Sequence, residues 1–169
     1  MKQLGYIGIL MTVLAFAACG GKKHAQTTAT QVVAEQQEPA EQPEHLVIQY
    51  VRTPCFGTCP HFELDVYSTG RAQYNGKRFV QNEGVFTGTW SSEDIMAVFE
   101  AAEEINYFEL QSTYDNRMVM DLPSVTTRIL SGDTLKSVMN RYQGPPELNE
   151  LYKVLDQIIS QTNWTAAGQ

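Results

Sequence analysis

The chain has 169 residues and three cysteines, with 12 Lys+Arg against 19 Asp+Glu for a formal net charge of −7. That length fits one domain plus a terminal extension, and a 43% hydrophobic share is too high for a wholly disordered chain. The acidic balance argues against a nucleic-acid partner, because too few cations are present to displace phosphate counterions.

The first 18 residues read as a signal segment. Met1-Lys2-Gln3 is a short basic start, and Leu4 to Phe16 is an apolar run too short to span hydrocarbon. Small residues at Ala15, Ala17 and Ala18 suit ordinary signal peptidase. The stretch Leu14-Ala15-Phe16-Ala17-Ala18-Cys19 also resembles a bacterial lipobox, with Phe16 where Leu is usual. That resemblance implies acyl chains on Cys19, a membrane contact through them, and a place in the bacterial cell envelope. Residues 19–44 then form a tether. Gly20 to Glu44 contains no aromatic residue and is rich in Gln, Ala, Thr, Glu and Pro, which is expected to stay disordered with a reach of roughly 25–30 Å.

A single α+β domain is expected over 45–162, followed by a short tail at 163–169. Leu46 to Val51 reads as a mostly buried strand, and Phe62 to Tyr67 alternates so that Phe62, Leu64 and Val66 face the core. Ser68-Thr69-Gly70 is a hairpin turn returning as Arg71 to Tyr74. Asn75-Gly76 reads as a further turn, followed by strands at Lys77–Val80 and Val85–Trp90 around a polar Asn82-Glu83-Gly84 turn. This antiparallel meander gives way to a helix capped by Ser91 or Ser92, with Ile95, Val98, Phe99 and Ala102 on one stripe. Val125–Leu130 and Thr134–Asn140 make a second hairpin around Ser131-Gly132-Asp133. Gly144-Pro145-Pro146 opens a last helix with Leu148, Leu151, Tyr152, Leu155, Ile158 and Ile159 buried. The order predicts an antiparallel sheet with two helices packed on one face.

One segment is chemically distinctive: Cys55-Phe56-Gly57-Thr58-Cys59-Pro60. Three chemistries fit it. A disulfide would close a tight loop, with Gly57 permitting the reversal, and lipidation of Cys19 would leave an even pair. Free thiols could cycle in redox exchange. Soft thiolates could hold Cu(I), with Cys55, Cys59 and His61 as ligands. The Cys-x-x-x-Cys-Pro segment resembles the copper loop of thioredoxin-fold assembly factors, but there a helix follows, whereas here a period-two strand pattern does. No cofactor is expected on the disulfide reading. Met118 and Met120 would share a face if extended, and such methionines more often fill a core or loop than bind metal. Glu63 and Asp65 read as a solvated strand face. No nucleophile elbow, zinc-protease helix or phosphate-binding glycine loop is present, so an enzyme is unsupported.

The segment Arg52-Thr53-x-Cys55-Phe56-Gly57-x-Cys59-Pro60-x-Phe62 resembles the opening signature of domain of unknown function 6438, a small module common in bacterial lipoproteins. Gly70, Tyr74-x-Gly76, Gly84, Tyr114, Asp121-x-Pro123 and Tyr142-x-Gly144-x-Pro146 extend the likeness over about residues 46–160. The resemblance implies an α+β fold in an extracytoplasmic setting and carries no catalytic residues. Arg52, Phe56, Gly57, Pro60, His61 and Asp121 form the candidate binding loop, facing an envelope protein, peptide or glycan.

Overall fold

The computed structural model describes residues 43–168; the expected signal segment, Cys19 and nearly all of the tether lie outside them. Eight strands form one sheet: β1 (Leu46–Arg52), β2 (His61–Tyr67), β3 (Arg71–Arg78), β4 (Gly84–Thr89), β5 (Thr113–Tyr114), β6 (Val125–Ser131), β7 (Thr134–Asn140) and β8 (Thr165–Ala166). Their spatial order is β5-β7-β6-β1-β2-β3-β4-β8, antiparallel throughout except where β5 pairs with β7. β1 is central because both of its neighbours find it apolar on alternate positions. Ile48 sits opposite Val66 and Ile129, and Tyr50 sits opposite Leu64 and Thr127. All six are buried, so the period-two pattern selects one face of the sheet for the core.

Helix α1 (Ser92–Glu104) starts where the sequence puts it. The Ser91 hydroxyl accepts the Asp94 N–H while the Asp94 carboxylate accepts the Ser91 N–H, which closes a reciprocal cap. The helix ends at Asn106 in the left-handed region, and the chain drops into a single 3-10 turn, Tyr107–Glu109. Tyr107 is fully buried there, and its hydroxyl donates to the Thr127 carbonyl of β6 at 2.8 Å. Helix α2 (Leu148–Gln161) buries Leu148, Leu151, Tyr152, Leu155 and Ile158 and touches α1. The ring of Tyr152 stacks on that of Tyr50 at 6.0 Å, which seats α2 against the central strand.

Three local expectations are corrected. Asn75-Gly76 is not a turn: β3 runs through it to Arg78, and Gly76 pairs with Phe62 on one side and Gly84 on the other. Glycine is needed there because the following loop folds back over it, so a Cβ would stand 1.8 Å from the Asn82 carbonyl oxygen. The strand expected at Lys77–Val80 is absent for the same reason; Phe79 leaves the extended region with φ 55° and starts the reversal. By contrast Gly70 does serve its hairpin, at φ 84° and with the Trp90 carbonyl only 2.5 Å from where a Cβ would be. At the other end, residues 163–169, read from sequence as a tail, supply β8, whose Thr165 and Ala166 pair with Thr87 and Phe86 of β4.

Candidate functional site: the cysteine loop and its neighbours

The loop between β1 and β2 is closed by a bond. The sulfurs of Cys55 and Cys59 lie 2.01 Å apart with the Cα atoms separated by 5.7 Å, so the four-residue spacing forms a disulfide. The Gly57 N–H donates to the Cys55 sulfur at 3.2 Å. Gly57 itself needs no positive φ, unlike Gly70, Gly84 and Gly132, and a Cβ there would meet only the Cys55 sulfur at 3.8 Å. The reversal comes from the bonded cysteines, and the expectation that Gly57 enables it is corrected.

A second loop, 115–124, is clasped to the first. The Thr53 N–H donates to the Ser124 carbonyl at 3.0 Å, and the Ser124 N–H donates back to the Thr53 hydroxyl at 2.7 Å. This brings Asp121 and Leu122 beside Pro54, Cys55 and Phe56, around a shallow cleft of about 240 Å³. Asp121 holds φ 65° at the turn of this loop. The clasp leaves large apolar side chains in water: Phe56 is 89% exposed, Met118 88% and Met120 75%. The two methionines therefore fill no core. Isolated exposed hydrophobes are ordinary; here three lie on two loops at one end of the sheet.

The remaining expected residues divide. Pro60 and His61 lead into β2, and Pro60 borders a different cleft, against the end of α2. Arg52 is not part of the loop surface. Its guanidinium donates to Asp156 at 2.7 Å and to the Tyr50 hydroxyl at 2.6 Å, and Tyr50 donates to Asp156 at 3.1 Å. Arg52 thus ties the last residue of β1 to α2. Burial raises the Asp156 carboxyl above its ordinary value, and the opposing pull of Arg52 and Tyr50 does not cancel it. Burial likewise pushes the Tyr50 hydroxyl up, so it stays neutral and can donate.

That balance fixes a pH effect. Because the folded pKa of Asp156 lies above its unfolded value near 3.8, its favourable contribution is present at lower pH and lost as pH rises through the raised value. Wild type is therefore expected to gain stability relative to Asp156→Asn between about pH 6 and about pH 3. Urea midpoints of both proteins across that range check it; a constant gap would reject the assignment.

The described residues contain no cluster of three His, Cys, Asp or Glu side chains placed to hold a metal ion. With the disulfide formed, Cys55 and Cys59 offer no thiolate, so a Cu(I) site with His61 requires the bond to be reduced first.

A family model described as "Domain of unknown function (DUF6438)" matches residues 46–159. The chain belongs to the DUF6438 family. None of the curated proteins matches it. The match spans β1 to most of α2, so the cysteine loop, its clasp and the Arg52–Asp156 tie all lie inside the DUF6438 domain. On the open face of this domain the Asp65 carboxylate accepts from Gln49 at 2.7 Å, and Gln49 in turn accepts from Arg128. Asp65 is engaged in a cross-strand ladder, where sequence reading left it simply solvated.

Replacing both cysteines of the DUF6438 loop by Ser should lower stability by ~1–3 kcal/mol, less than a long loop would give. Each single change should cost about as much as the pair, since one change already breaks the bond. Thermal melts with and without Cu(I) check this. A double variant that melts like wild type, beside a reduced wild type strongly stabilised by Cu(I), would reverse the structural reading of the loop.

Proposed function

We propose that this protein is a lipid-anchored, extracytoplasmic binding module of the bacterial cell envelope. Acyl chains on Cys19 hold it to the membrane, the helices form one layer over one sheet face, and the cysteine-loop end engages a protein partner. The observation that carries this reading is the exposure of Phe56, Met118 and Met120 on two loops pinned by a disulfide and a backbone clasp. Rigid loops bearing flexible methionines and an aromatic anchor lose little entropy on binding and adapt to a partner's shape. The half-buried disulfide also leaves room for the alternative, in which Cys55 and Cys59 exchange with a partner thiol or, once reduced, bind copper.

Two measurements test it. Cys19→Ser protein should leave the membrane fraction, and retention there would end the acyl-anchor reading. A photocrosslinking residue at position 56, in cells, should give a discrete adduct that the same residue at position 133 does not. The 131–134 turn lies at the opposite end of the sheet. Identical patterns from both positions would remove the cysteine loop as the contact surface.

A further inference from the structure

A second cleft of about 400 Å³ opens between the β3–β4 turn and the C-terminal end of α2, within the ~300–1,000 Å³ usual for small-ligand sites. Its walls carry two aromatic rings, Phe79 and Trp164, with Tyr74 beneath. Trp164 is fixed in place: its indole N–H donates to the Ile159 carbonyl at 2.9 Å and its ring packs on Tyr74 at 5.2 Å. Phe79 is 43% exposed and sits at φ 55°. A bulky residue there is a genuine outlier, since Gly or Asn would occupy the same backbone with less strain. The chain keeps a half-exposed phenyl ring on a strained backbone at the mouth of a cleft, with the Arg78 guanidinium over the ring at 4.8 Å, and such strain concentrates where ligands bind.

The polar groups narrow the ligand class. The side-chain amides of Gln81, Asn82 and Asn163 line the cleft, and none makes a hydrogen bond among the described residues. Among the described residues the only ionised side chain lining it is Asp156, and Arg52 already pairs with that carboxylate at 2.7 Å. Burial pushes the Tyr74 hydroxyl up to about 12, so it too is neutral. Among the described residues no cation lines the cleft itself and no unpaired anion does; the Arg78 guanidinium near its mouth is placed on the Phe79 ring at 4.8 Å. Aromatic faces beside unpaired amides suit a molecule with apolar C–H faces and a rim of hydroxyls.

We propose that this cleft binds a neutral saccharide, one sugar face against Phe79 and Trp164, with its hydroxyls meeting Asn82, Asn163 and the outer side of Asp156. The site meets the cysteine loop only at Pro60, and the inference does not rest on the protein-partner reading.

The test uses the full chain purified in a detergent without a sugar headgroup, titrated calorimetrically with tri-N-acetylchitotriose, maltotriose and, as a control, trialanine. Saturable binding of at least one saccharide is expected, and none of trialanine. Phe79→Gly should keep or raise the melting temperature by relieving the positive φ, yet weaken saccharide binding roughly tenfold. Asn163→Ala, on the other wall, should weaken it several-fold without changing the melt, whereas Phe56→Ala should leave it unchanged. No saturable binding of either saccharide, equal binding of trialanine, or wild-type affinity in both Phe79→Gly and Asn163→Ala would overturn the proposal.

Discussion

Gly76→Val should be among the most damaging single changes in the domain, costing about 3 kcal/mol. The added Cβ would stand 1.8 Å from the Asn82 carbonyl oxygen and 2.9 Å from the Val80 side chain. The nearer of these is backbone, so no rotamer change relieves it; either the 79–83 turn lifts or the β3–β4 pairing shears. Gly57→Ala is the matched control, with ordinary contact only, and should stay within about 0.5 kcal/mol of wild type. Equilibrium urea unfolding of the two variants decides it, and equal midpoints would contradict the packing described for Gly76.

Tyr107→Ala should cost about 3–5 kcal/mol, the range for emptying a buried aromatic site. Its ring is wholly buried, and its hydroxyl reaches both the Thr127 carbonyl and the Thr127 hydroxyl, the latter at 3.0 Å. Tyr107→Phe isolates the polar part. It leaves the Thr127 hydroxyl without that partner in a fully buried position, so ~1–3 kcal/mol should be lost. Adding Thr127→Val to Tyr107→Phe should recover part of that loss, because both halves of the polar pair are then gone. A double variant less stable than the sum of its singles would show that the pair acts otherwise.

These two residues also mark where sequence reading stops. Strands β1, β2 and β4, the second hairpin, the Ser91 cap and both helices are local signals and form within a few residues of their expected places, whereas β3 runs four residues past its expected end and absorbs part of the strand expected at Lys77–Val80. Gly76 was misread because a turn and a close approach both favour glycine, and only the return of Asn82 distinguishes them. Tyr107 gave no signal at all, being a single aromatic residue in a three-residue turn. At the candidate site, the cysteine pair was legible from its spacing, together with Asp121 as a family landmark. The clasp between Thr53 and Ser124 was not, because nothing local links residues 71 apart. Arg52 looked like a loop residue from its neighbours in sequence, yet its partner Asp156 lies on the far helix, 104 residues away.

Strand β1 enters the sheet at Leu46 and delivers the cysteine loop at its other end, a run of seven residues or roughly 23 Å. It is paired along both edges, to β2 and to β6. Tension applied between the preceding chain and a partner held at the loop would therefore run along the axis of this one strand. Both hydrogen-bond ladders lie across that axis and would resist in shear together, so many bonds must fail at once. A pull on the C-terminal residues meets only the two-residue β8, which can peel from β4 one bond at a time. The domain is thus mechanically polar: stiff under load carried through the cysteine loop, and soft at its carboxyl end.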